Sequence, residues 1–144
     1  MKIFTTLFLA STIALTGCAT TQNSYGNFTI EASDSQQFLV SDSLKQIIAL
    51  YPPAHTRLAL QHLPDDAYGL GLIRGLRANG YAVIEYSEEQ TQDPSAQPFS
   101  YVVDSVVDAG LDRLTINVGE KSISRAYSKT DSGYNFAGDW SRKE

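Results

Sequence analysis

The sequence predicts an α+β domain of two layers, with about two helices packed on one face of a mixed, mainly antiparallel sheet, behind an N-terminal leader and a polar tether. Three observations predict it. Two stretches, 38–51 and 65–79, carry apolar residues at helical spacing. Short strand-like runs flank the second of them. The region from Phe99 to Tyr127 alternates apolar and polar residues between turn signals, as antiparallel strands do. Helices and strands in that order suit a sheet covered on one side. The sequence shows no internal repeat and no heptad array.

Taken in order, Met1 to Gly17 holds one cation, Lys2, and an apolar run from Ile3 to Leu15, which reads as a cleavable signal and not a fold element. The run is shorter than the roughly 20 apolar residues that a membrane span needs. Residues 18–37 are rich in Ser, Thr, Asn and Gln, bury too little to offset ordering entropy, and read as a tether with one short strand near Phe28-Thr29-Ile30. The domain proper is expected over 38–144.

Val40, Leu44, Ile47, Ile48 and Tyr51 lie on one helical face, Ser41 or Asp42 can cap the helix, and Pro52-Pro53 stops it. Thr56 to His62 alternates as a half-buried strand. Asp65-Asp66 opens a second helix that runs to about Asn79, with an apolar stripe of Leu72, Ile73 and Leu76 and a left-handed stop at Gly80. Gly69, Gly71 and Gly75 inside it cost roughly 1 kcal/mol each against alanine, a cost that close approach to a sheet would offset. Tyr81 to Tyr86 follows as a strand, so strand, helix and strand can form a parallel crossover. Ser87 to Pro98 is a polar loop. Phe99–Val107, Arg113–Val118 and Ser122–Tyr127 form a meander, with turns at Ala109 to Asp112 and Gly119 to Lys121. Tyr134, Phe136 and Trp140 in a polar tail predict that the tail docks on the domain.

The leader ends in Leu15-Thr16-Gly17-Cys18. A branched aliphatic residue, two small residues and a cysteine resemble the bacterial lipobox. The resemblance implies diacylglyceryl transfer to the Cys18 thiol, cleavage after Gly17 and acylation of the new amino terminus. The competing readings are a core cysteine and a plain signal peptide. Cys18 is the only cysteine, so no intramolecular disulfide can form. Ala19, not Asp, follows it, which by resemblance to lipoprotein sorting favours the outer membrane.

The 144-residue chain carries 16 acidic and 11 basic residues, a formal charge of −5. Loss of Lys2 with the leader makes the mature charge −6. That balance lacks the basic patch of a nucleic-acid binder, and no direct nucleic-acid binding is expected. His55 and His62 have no companion residues at metal-ligand spacing, so no metal site is expected. No Gly-x-Ser-x-Gly elbow supports a Ser-His-Asp site, and no catalytic residue is assigned. Gly69-Leu70-Gly71 resembles the start of a dinucleotide fingerprint, but Arg74 stands where the third glycine belongs, so no cofactor is expected. Glu88-Glu89 read as solvated charges. Asn27-Phe28-Thr29 matches a glycosylation sequon of little weight behind a bacterial lipobox. The eight tyrosines and Trp140 suit either a contact surface or strand packing.

Leu50-Tyr51-Pro52-Pro53-Ala54, Gly75-Leu76-Arg77-Ala78-Asn79-Gly80-Tyr81-Ala82-Val83, Ser122-Ile123-Ser124-Arg125-Ala126-Tyr127 and the closing 137–144 resemble, in order and spacing, the TrbH family of conjugal-transfer lipoproteins. The resemblance implies a lipid-anchored envelope component of a conjugative type IV secretion apparatus, held at the outer membrane and facing the periplasm. Its partners would be other channel subunits. It implies no catalytic or cofactor residue, and only the lipid-bearing Cys18 carries over. Two alternatives remain open from the residues: a periplasmic enzyme acting on cell wall or a small molecule, and a surface lipoprotein that modulates cell contact.

Overall fold

The computed structural model describes residues 25–29, 33–89 and 93–144. The leader, Cys18 and most of the tether lie outside the described residues. The elements are β1 (Gly26–Asn27), α1 (Ser33–Leu50), β2 (Arg57–Leu60), α2 (Ala67–Ala78), β3 (Ala82–Ile84), β4 (Gln97–Val106), β5 (Leu111–Val118), β6 (Lys121–Thr130), β7 (Gly133–Phe136) and β8 (Ser141–Lys143).

They form an eight-stranded mixed sheet in the order β3-β2-β4-β5-β6-β7. β2 lies parallel to both β3 and β4, so β2-α2-β3 is the expected parallel crossover. β4, β5 and β6 form the antiparallel meander, in register from Phe99↔Val118 and from Val118↔Lys121. Two strands share each of two ladder edges. β1 and β2 pair with successive parts of β4, and β7 and β8 with opposite ends of β6.

Strand alternation puts Phe99, Tyr101, Val103, Leu114, Ile116, Val118, Ile123 and Tyr127 on the helix-covered face, all buried. Leu39, Val40 and Ile47 of α1 and Tyr68, Leu72, Ile73 and Leu76 of α2 complete one core. The opposite face carries small polar side chains, among them Thr115, Ser124 and the bonded pair Ser100 and Asn117. Apolar residues on one face and polar ones on the other are what one-sided coverage requires. The predicted α+β class, with two helices on a mixed sheet, is the fold found.

Several boundaries differ from expectation. α1 begins at Ser33, so Ser41 and Asp42 lie inside it and cap nothing. The early strand is Gly26–Asn27, two residues before the predicted place, fixed by pairing with Val102 and Val103. Leu111 and Asp112 belong to β5, because the turn before them closes at Gly110 in the left-handed region (φ 61°). The tail forms β7 and β8, with Tyr134 buried, Trp140 partly buried against the core and Phe136 largely exposed. Asp66 caps α2 by accepting the Gly69 amide, and Gly80 ends it at φ 89°, both as predicted.

The helix glycines have divided roles. Only Gly69 meets the sheet, where an added Cβ would overlap the Tyr101 hydroxyl. Gly71 and Gly75 face Val40 and Leu44, so they bring α2 against α1. Gly69→Ala should therefore destabilise the domain by about 2–3 kcal/mol through overpacking, measured by urea unfolding. Gly75→Ala should cost far less, because the flexible Leu44 side chain can move and alanine regains about 1 kcal/mol of helix propensity.

Candidate functional site

Three carboxylates turn inward from the helix-covered side, and a tyrosine hydroxyl donates to each. Asp42 of α1 accepts from Tyr127 Oη at 2.7 Å and from Arg125 at 3.1 and 3.2 Å. Arg125 Nε donates to the Gly138 carbonyl at 2.7 Å, and its guanidinium lies 3.8 Å from the Phe136 ring centroid. Asp66 accepts from Tyr101 Oη through the oxygen that does not cap α2. Asp112, 1% exposed, accepts from Tyr134 Oη and Ser105 Oγ, with Lys129 Nζ at 3.3 Å.

Asp42 and Asp112 are buried and accept from several protein donors, as buried carboxylates require, whereas Asp66 is half-buried. Burial is the main reason that the Tyr101 and Tyr127 hydroxyls lose their protons only far above the ordinary range, and the bonded carboxylates push the same way. Burial also raises Tyr68, against the opposing effect of its bond to Ser43. At neutral pH these phenols are protonated and available as hydrogen-bond donors. The signal for Asp112 was present in the chain, since it alternates in phase with Leu114, Ile116 and Val118. Asp42 had no local signal, because its partners lie more than 80 residues away.

The two histidines are not brought together by any shared ligand geometry. His55 is exposed in a short 3-10 turn, Pro53–His55. His62 lies between the rings of Tyr25 (centroids 5.5 Å) and Tyr101 (4.6 Å), and neither of its nitrogens has a hydrogen-bond partner among the described residues. Desolvation holds it below the ordinary histidine value of 6.5, against the smaller opposing pull of Asp66 and Asp65. Among the described residues no three His, Cys, Asp or Glu side chains converge to hold a metal ion. Gly69-Leu70-Gly71 lies within α2, and the Gly69 amide that a phosphate would need is bound to Asp66. Glu88 and Glu89 are exposed, as solvated charges.

One surface feature with binding geometry is a groove of about 430 Å³ beside α2; a second of about 540 Å³ lies between Gln61, Glu88 and Asp93 and is the more polar of the two. Leu60, Leu63 and Pro64 line the first from the β2 end, Leu70, Ile73, Arg74 and Arg77 from α2, and Glu85 and Tyr86 from the segment after β3. Leu63 is 66% exposed and Leu70 50%. Arg77 pairs with Glu85 at 2.9 Å, whereas Arg74 makes no ion pair among the described residues. The sequence reading assigned no role to Leu70, and Arg74 entered it only as the residue in a missing glycine's place. Their spacing (70, 73, 74, 77) is a second helical stripe, offset from the core stripe, and that was the available signal.

The family model described as conjugal transfer protein TrbH matches residues 21–144. The chain belongs to the TrbH family. No curated protein and no solved structure matches it significantly. TrbH membership places the protein in conjugal transfer and with the components of the transfer apparatus. Among the described residues no helix is long and apolar enough to cross a membrane.

Two outcomes test this TrbH interior. Asp42→Ala leaves Arg125 and Tyr127 without their acceptor and should cost about 3–5 kcal/mol, the range for breaking a buried charge pair, read by chemical denaturation. The lowered folded pKa of His62 means that the unfolded chain takes up a proton first as pH falls. Its contribution is therefore present above pH 6.5 and is lost as pH falls through the lower folded value. His62→Phe should flatten the decline in Tm between neutral pH and about pH 5, measured by thermal melts across that window.

Proposed function

We propose that this TrbH chain is a lipid-anchored envelope component of the conjugative type IV secretion apparatus, held at the outer membrane through Cys18 and acting by protein–protein contacts. The observation that carries the reading is the family match over 21–144 directly behind a lipobox. The polar groups of the interior support a contact role, because the buried acids and phenols are consumed in holding the fold. The groove beside α2 supports it too, being an exposed, partly apolar surface with binding geometry.

Anchoring makes weak contacts sufficient. Each buried methylene adds about 0.8 kcal/mol, and one acyl chain alone binds only marginally, whereas the three chains of a mature lipoprotein hold firmly. Six residues, 19–24, separate Cys18 from Tyr25, the first described residue. Even fully extended they reach only about 25 Å. The domain would therefore work close to the bilayer, at high effective concentration toward partners on the same surface.

Cys18→Ser should leave an unprocessed precursor, shift the protein out of the outer-membrane fraction and lower transfer frequency. Mass spectrometry of the wild-type mature chain should find the acyl groups on residue 18. Normal processing, fractionation and transfer in the serine variant would sink the proposal.

A further inference from the structure

We infer that the free edge of β3 and the adjoining stripe of α2 receive an extended segment of a partner protein as an added strand, with apolar side chains against Leu70 and Ile73 and a carboxylate against Arg74. The inference rests on the protein-contact reading above and names the site and the chemistry of what binds there.

β3 ends the sheet. Among the described residues it pairs with β2 alone, so its other side presents unpaired amides and carbonyls. Natural edges are commonly blunted by charge. At the opposite margin β7, which is uncharged, is in contact with α1, and β8 follows that practice with the exposed Arg142 and Lys143. β3 does not, since its residues are Ala82, Val83 and Ile84. An uncharged edge is open to a strand from another chain, a recurring mode of peptide recognition.

Beside that edge the groove supplies side-chain contacts. A strand added to β3 would turn every second side chain toward the helix-covered face. There Leu70 and the buried Ile73 offer apolar surface, and Leu63 and Tyr86 widen it. Charge selects the segment. In a chain of net charge −5, Arg74 and Arg77 make this rim locally cationic. Glu85 already engages Arg77, so Arg74 is the cation left for a partner carboxylate.

The same features weigh against other occupants. A second copy would bring to this edge the same excess of arginine, Arg74 and Arg77 against the one acid Glu85, which is a poor match for a cationic rim. A bilayer surface has no strand edge to offer to β3.

The test places a photo-crosslinking amino acid at position 70 in mating donor cells, and for comparison at Val107, which is 85% exposed and outside the groove. Position 70 should give a light-dependent protein adduct that position 107 does not, and the cross-linked peptide should alternate apolar residues and contain Asp or Glu. Arg74→Glu, in a chain whose melting temperature is unchanged, should lower adduct yield about tenfold, and reversing the partner's acid to Arg should restore it. An adduct with phospholipid, with a second copy of this chain or with a segment lacking an acid overturns the inference. So does an adduct indifferent to Arg74→Glu, or none. Failure here remains separable from failure of the anchoring proposal. If position 70 gives no adduct while Cys18→Ser still abolishes transfer, only the docking site is lost. If the adduct forms in a Cys18→Ser strain that transfers normally, only the anchor is lost.

Discussion

A single carboxylate, Asp42, ties the two layers together. It lies inside α1, where a charge facing the sheet would be costly to desolvate, and it persists because the sheet supplies its donors. Tyr127 reaches it from the core face of β6, and Arg125 reaches it two residues earlier on the same face. Arg125 then extends the constraint outward through the Gly138 carbonyl and the ring of Phe136. One helix position thereby links α1, β6 and the tail.

The same solution recurs. Tyr101 meets Asp66 at the start of α2, and Tyr134 meets Asp112 across β5 and β7. Each phenol brings apolar ring surface to the core and a donor to a carboxylate, buried at Asp42 and Asp112 and half-buried at Asp66, so burial and polar satisfaction are met by one side chain. This use of tyrosine bears on activity. Asp42, Asp66 and Asp112 are each engaged by a phenol, so these acids serve the fold. What the molecule offers outward is surface: a polar sheet face on one side, and a grooved helix beside an uncharged strand edge on the other.

Much of the architecture was legible in the chain. The crossover β2-α2-β3, the cap at Asp66, the stop at Gly80 and the meander from Phe99 onward follow from residues within a few positions of one another. Two of the boundaries that moved did so where a distant strand supplied the deciding partner. Gly26–Asn27 becomes a strand because β4 is there to accept it, and the tail becomes β7 and β8 because β6 has an edge to fill. At the candidate site, the stripe Leu70–Ile73–Arg74–Arg77 could be read from spacing. Its position beside an open edge could not, because nothing local states that β3 ends the sheet.

The sequence by itself determined the period of each element, the residues that start and stop the helices, the acidic balance and the likeness of its leader and family motifs to those of conjugal-transfer lipoproteins. These are properties of neighbouring residues, set by backbone geometry and side-chain spacing. The tertiary structure alone decided which acids are buried, which glycines face the sheet and which face a helix, and which strand is left with a bare edge. Those outcomes depend on pairs up to 85 residues apart, as between Asp42 and Tyr127, whose contact arises only when the two layers close.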